Sequence, residues 1–181
     1  LKYPTVFHLV AAEFKKAKIP CILIGGFAVN YYGVARATAD VDLLMTEADY
    51  ERAAPIFKNG GYYEVLKQHL FARLQNNKYD FIDIDVLFVD PNSFEGMYQE
   101  ANEVLIQNNK IKIPSFRHLI ALKLHSLKHN PSREVPDLVD IVNLLRTNEG
   151  LLTKKEFQEL CSKFGNQDVH HKVIGVAIWK S

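Results

Sequence analysis

Two pairs of aspartates, each with one residue between its members, are the part of this chain best able to do chemistry. They are Asp40 and Asp42 in Arg36-Ala37-Thr38-Ala39-Asp40-Val41-Asp42, and Asp83 and Asp85 in Phe81-Ile82-Asp83-Ile84-Asp85-Val86-Leu87. On a strand, alternate residues face the same side about 7 Å apart. Each pair thus aims two carboxylates at one point, where like charges repel unless a cation sits between them, and hard Mg²⁺ accepts such oxygens. For Asp40 and Asp42 the plainer readings are a solvated strand face, or an acid paired with Arg36. For Asp83 and Asp85 an exposed sheet face is the weaker alternative. Their run is apolar and β-branched, so burying them without a partner is costly, and a shared metal supplies one. Upstream, Ile22-Leu23-Ile24 ends in Gly25-Gly26. Glycines at a strand-to-helix turn let a phosphate approach the backbone, where N–H groups of the helix start can hold it. Two glycines also simply make a turn.

The elements that must position these residues follow from periodicity. Apolar spacing from Val6 to Ile19 predicts an opening helix to about Lys18, before Pro20. Cys21 to Ile24 reads as a strand, Phe27 to Tyr32 as a short helix closed by Gly33, and Asp40 to Met45 as a second strand. Thr46 opens a helix over Ala48 to Lys58, which Asn59-Gly60-Gly61 ends. Tyr62 to Leu66 and His69 to Leu74 are strand-like. After a turn at Asn76-Asn77-Lys78 comes a long strand, Tyr79 to Val89, paired as an antiparallel hairpin with His69 to Leu74. Pro91-Asn92-Ser93 is expected to cap a helix from Phe94 to about Ile106, and Lys110 to Ile113 is a short strand. From Ser115 strand signals stop, and Phe116 to Lys128, Pro136 to Arg146 and Lys154 to Phe164 are helical, the last opened by a Thr153–Glu156 capping box. The stretch from Gln167 onward reads equally as helix or strand. The fold class is therefore α/β of the α+β type, a mixed sheet flanked by helices over 1–114, with a helical region over 115–181 packed against it.

At 181 residues the chain can bury one sizeable core with a helical appendage. Its formal net charge of +1 excludes a global basic field, though not a local basic groove. Cys21 and Cys161 read as buried free thiols of a reducing compartment. No apolar run has the length of a membrane span or the form of a signal peptide, so a cytoplasmic, non-membrane protein is expected. His118, His125 and His129 could line one helix face, as a basic stripe for phosphate or RNA rather than a soft-metal site. Tyr31, Tyr32, Tyr62 and Tyr63 could stack a base, but read more readily as core and rim. No Walker loop, Ser–His–Asp order or zinc spacing is present.

Taken in order, Ile24-Gly25-Gly26, about a dozen residues, Ala39-Asp40-Val41-Asp42-Leu43 and a third acid on a later strand resemble the signature of the DNA polymerase β-like nucleotidyltransferase superfamily. Arg36-Ala37-Thr38 resembles, more narrowly, the small bacterial AbiEii-type nucleotidyltransferases. Ala121-Leu122-Lys123-Leu124-His125, Arg133 and Asp137-Leu138-Val139-Asp140-Ile141 are similar to that group's lysine helix and Asp-x-x-Asp helix. The resemblance implies that Asp40, Asp42 and a third acid hold one or two Mg²⁺ ions. The third acid is Asp85, which directly precedes Val86-Leu87 as in the family pattern, with Asp83 as competitor. It also implies that Gly25 and Gly26 contact a triphosphate, with Arg36 and Thr38 in the nucleotide site; Arg36 touches phosphate or only holds the loop. Lys123 reaches phosphate or the acceptor, and Asp137 orients or charge-balances it. The implied reaction moves a nucleoside monophosphate from a nucleoside triphosphate such as ATP to a hydroxyl on RNA, protein or a small molecule. A toxin or phage-defence role with an antitoxin-like partner belongs to the same resemblance. The alternatives are a non-catalytic nucleotide- or partner-binding member of the fold, and phosphoryl transfer at the same metal site.

Overall fold

In the computed structural model, which describes residues 4–77, 82–165 and 167–175, the expected opening helix is present in three pieces. Thr5 Oγ1 accepts from His8 N to start α1 (Val6–Leu9), a π-helical turn spans Val10–Phe14, and α2 (Lys15–Ala17) follows. Lys18, at φ +52°, ends it in the left-handed region. The strand expected over Cys21 to Ile24 is shorter: β1 is Ile22–Leu23. The next helix, α3 (Gly25–Tyr31), begins on the glycines themselves rather than at Phe27. Then come β2 (Asp40–Met45) and α4 (Glu47–Asn59), the latter capped as expected by Thr46, whose hydroxyl accepts from Asp49 N.

Three more strands complete the main sheet: β3 (Tyr62–Gln68), β4 (Phe71–Asn76) and β5 (Asp83–Phe88). Their order is β1-β2-β5-β4-β3, with β2 and β5 parallel and every other pair antiparallel. The mixed sheet and the antiparallel β4–β5 pairing agree with the sequence reading. The turn expected at 76–78 and the first residues of the strand expected from 79 lie partly outside the described residues, as does the end of the tail.

One expected helix is corrected. Residues Phe94 to Ile106 do not form a single helix: α5 (Pro91–Gln99) is capped by Asp90, and β6 (Asn102–Ile106) pairs with β7 (Asn109–Ile113). Gln107 and Asn108, at φ +48° and +63°, make the two-residue turn between them. The pairing sets Val104 opposite Ile111 and buries both, which outweighs the helical spacing of the segment.

The chain divides into two compact units, Leu1–Phe27 with Ala37–Pro114, and Ala28–Arg36 with Ser115–Ser181. In the first, Phe14, Tyr50 and Phe57 pack ring to ring behind a sheet core of Leu23, Leu43, Ile84 and Val86. In the second, α6 (Phe116–His129), α7 (Glu134–Thr147), α8 (Lys154–Phe164) and α9 (Gln167–Ile174) bury Leu119, Leu124, Ile141, Leu144 and Phe157. The Thr153–Glu156 capping box is formed. Helix α9 decides the described part of the tail in favour of helix.

Candidate functional site

Parallel pairing of β2 with β5 sets Asp40 opposite Asp83 and Asp42 opposite Asp85. Strand alternation puts all four carboxylates on one face, while Val41, Leu43, Ile84 and Val86 are buried on the other. Three of the four converge. One oxygen each of Asp40, Asp42 and Asp85 lies within 4.8 Å of the others. Asp83 is not in this group; its Oδ2 accepts from Gln75 Nε2 at 3.0 Å. Three hard carboxylates at this spacing fit a divalent cation such as Mg²⁺.

The glycines have a further reason to be glycines. Gly25 sits at φ +63°, and a Cβ there would come 1.8 Å from Asp42 Oδ2. A Cβ on Gly26 would come 2.7 Å from both Cβ and Oγ1 of Thr38. The start of α3 is thus bare where the Asp42 carboxylate and the Thr38 side chain press against it. Ile24 N donates to Asp42 O at 2.9 Å, and Thr38 Oγ1 donates to Asp40 O at 3.0 Å, so the backbone on which both acids ride is held from two directions.

The sequence reading did not single out Arg73. On β4 it stands opposite Asp85 and grips it with two parallel hydrogen bonds, Nε to Oδ1 at 2.7 Å and Nη2 to Oδ2 at 2.6 Å. That pair, and the longer-range attraction of Asp40 and Asp83, hold the guanidinium's pKa above its ordinary value. The signal available was the antiparallel β4–β5 pairing, but only its register names the partner.

In the second unit Lys123 is buried and donates to Asp137 Oδ1 and to Asp140 Oδ2, both at 2.7 Å. Arg36 donates to the same Asp140 oxygen, and Arg133 reaches Asp137 Oδ1 at 3.3 Å. Burial pulls the Asp137 pKa upward, but the Lys123 ammonium, a hydrogen bond from Ser126 and the charge of Arg133 together outweigh it, and the carboxyl lies below its ordinary value. Asn30 clasps the Arg36 backbone from both sides, accepting from its N–H at 2.7 Å and donating to its carbonyl at 2.9 Å. Asp140 is therefore a member of the lysine cluster beside the expected Lys123 and Asp137, and Arg36, expected in the nucleotide site or holding its loop, joins them through Asp140.

The His125 and His129 rings lie 4.4 Å apart, and burial, helped by His129 and Lys128, lowers the His125 pKa. Among the described residues no candidate metal cluster includes a histidine. Tyr62 is buried and Tyr32 packs on Phe116, whereas Tyr31 and Tyr63 are exposed. Cys161 is buried and Cys21 half-buried; both thiols are free, and burial pushes both up to about 12, with Asp49 adding to the shift of Cys21. No helix among the described residues is long and apolar enough to cross a membrane.

The family described as uncharacterised nucleotidyltransferase matches residues 6–178, nearly the whole chain. The chain belongs to that family. As a nucleotidyltransferase it is an enzyme of the class that moves nucleotidyl groups, and the superfamily resemblance of its motifs agrees. Solved structures share the fold at low identity. An antigenic nucleotidyltransferase-like protein from Paracoccidioides brasiliensis is 17% identical, with a TM-score of 0.58 over 97% of this chain and 93% of that one. A lincosamide antibiotic adenylyltransferase, lincomycin-bound, is 17% identical, with a TM-score of 0.56 over 79% of this chain and 96% of that one. The antibiotic-resistance factor ANT(2'')-Ia in complex with adenylyl-2''-tobramycin is 13% identical, with a TM-score of 0.54 over 94% of each chain. No curated protein matches the chain by sequence.

Proposed function

We propose that this nucleotidyltransferase is Mg²⁺-dependent and transfers a nucleoside monophosphate from a nucleoside triphosphate to a hydroxyl acceptor. The convergence of Asp40, Asp42 and Asp85 within 4.8 Å carries the proposal. One or two Mg²⁺ ions held there would lower the pKa of the acceptor hydroxyl and stabilise the pyrophosphate leaving group. The chain's own part is positioning and charge. Gly25 leaves room for the Asp42 carboxylate, and Thr38 and Ile24 fix the backbone beneath both acids. Contacts of Gly25, Gly26, Arg36 and Thr38 with the nucleotide are supported by the motif resemblance. A phosphate or acceptor contact by Lys123 has the same support and would use its third N–H, two being taken by Asp137 and Asp140.

The acceptor is a hydroxyl on RNA, a protein or a small molecule, and the antibiotic-modifying neighbours support the small-molecule arm first. Narrower kinship with AbiEii-type enzymes, and with it a toxin-like role and an antitoxin-like partner, is supported by the motif likeness alone and is not needed for this chemistry.

The test incubates the protein and Asp42→Asn with Mg²⁺ and nucleoside triphosphates labelled at the α or the γ phosphate, offering RNA, cell extract and hydroxyl-rich small molecules. Transfer of α label only, falling at least about a hundred-fold in Asp42→Asn, is expected, since even outer partners of metal ligands are worth roughly ten- to a hundred-fold. Transfer of γ label only would mean a phosphotransferase. Nucleotide binding without transfer of either label would mean a non-catalytic member of the fold.

A further inference from the structure

The carboxylate that completes the acidic trio is already held by a cation. Both oxygens of Asp85 accept from Arg73, in the two-pronged geometry that makes guanidinium–carboxylate pairs strong and directional. Cross-strand register puts this guanidinium on the face that carries Asp40, Asp42, Asp83 and Asp85. The Arg73 side chain is 45% exposed against 12% for Asp85, and its guanidinium carbon lies 5.7 Å from the centre of the Phe71 ring. The arginine therefore reaches the acid from the solvent side and has somewhere to go when released. The acid does not.

We propose that Arg73 is a positioning residue that competes with the divalent cation for Asp85, so that the metal site loads only as this ion pair opens. The proposal rests on the metal-site reading of Asp40, Asp42 and Asp85 given above. Without a cation, four carboxylates on neighbouring strands repel one another, and Arg73 offsets that repulsion and fixes the Asp85 rotamer. A guanidinium and a divalent cation on the same carboxylate repel each other and draw on the same lone pairs, so each weakens the other's hold. The consequence runs against the usual expectation for a residue that holds a ligand: removing Arg73 strengthens metal binding.

The experiment titrates Mn²⁺ alone, without nucleotide, into the wild type, Arg73→Gln, Arg73→Lys and Asp42→Asn, with binding followed by calorimetry and by electron paramagnetic resonance of free Mn²⁺. Charge-assisted hydrogen bonds are strong enough that Arg73→Gln is expected to bind Mn²⁺ about ten-fold more tightly than the wild type. Arg73→Lys should fall between them, because lysine keeps the charge but not the fork. Asp42→Asn should lose the binding. If Asp42→Asn loses it but Arg73→Gln binds no more tightly than the wild type, Arg73 does not compete and the trio still stands. If Asp42→Asn binds as the wild type does, the metal-site reading itself fails, and this inference with it. Circular dichroism and melting establish that each variant is folded. Should Arg73→Gln not fold, Arg73→Lys carries the same comparison, and binding no tighter than wild type overturns the proposal.

Discussion

Gly25 and Asp42 constrain each other more tightly than their 17-residue separation suggests. The carboxylate occupies the place where any side chain at residue 25 would begin, and the backbone there is left-handed, so two independent reasons exclude other residues. Gly25→Ala is therefore expected to turn Asp42 away from Asp40 and Asp85. Misplacing a reactive group by about an ångström costs roughly a hundred-fold, so α-label transfer should fall by about that factor while circular dichroism is unchanged. Wild-type transfer by this variant would show that Asp42 does not need its observed position. At this scale the acids are legible in the sequence because a period of two puts Asp40 with Asp42 and Asp83 with Asp85. Between Asp83 and Asp85, the Val86-Leu87 that follows Asp85 is the local pattern that favours it by resemblance. The cross-strand partners, Gln75 for Asp83 and Arg73 for Asp85, are assigned by register and no local pattern encodes them.

Among the elements, β2 and α4 are readable because alternation and a Thr cap are local signals. The segment after α5 is misread because Val104 and Ile106 also suit a helix, and their strand state is decided by pairing with β7. The turn between β6 and β7 holds the missed signal. Both Gln107 and Asn108 have positive φ, and of the two only Asn is a common occupant of that region. Gln107→Asn with Asn108→Gly installs the pair preferred in such turns. It should raise stability by about 0.5–1 kcal/mol in urea unfolding, the left-handed penalty being about 1 kcal/mol per residue. A loss of stability would mean that the turn is not the strained part of this hairpin.

Across the whole molecule, the change at Pro114–Ser115 is legible because strand signals stop there. The grouping of Ala28–Arg36 with the C-terminal helices is not. It is expressed in contacts between residues 104 and 116 apart in sequence, Arg36 with Asp140 and Asn148 with the Tyr32 carbonyl. Around Asp140 the second unit buries a lysine between two aspartates, and this network gives the protein a pH-dependent element of stability. The Asp137 carboxyl lies below its ordinary value in the folded state, so its contribution is whole above the unfolded value of about 3.9 and is lost as pH falls through the lower folded value. Asp137→Asn keeps the shape and removes the charge, leaving Lys123 with Asp140 alone as its carboxylate partner. Because Lys123 keeps Asp140, the loss is that of a charge-assisted hydrogen bond rather than of a wholly unpaired charge, and about 1.5–3 kcal/mol is expected near pH 7 in urea unfolding. Near pH 3 the gap between variant and wild type should narrow, because below about 3.9 the unfolded chain takes up the proton that the folded carboxyl, held lower, resists, and part of the charge's contribution is already lost. A gap of the same size at both pH values would mean that Asp137 stabilises the fold through packing rather than through its charge.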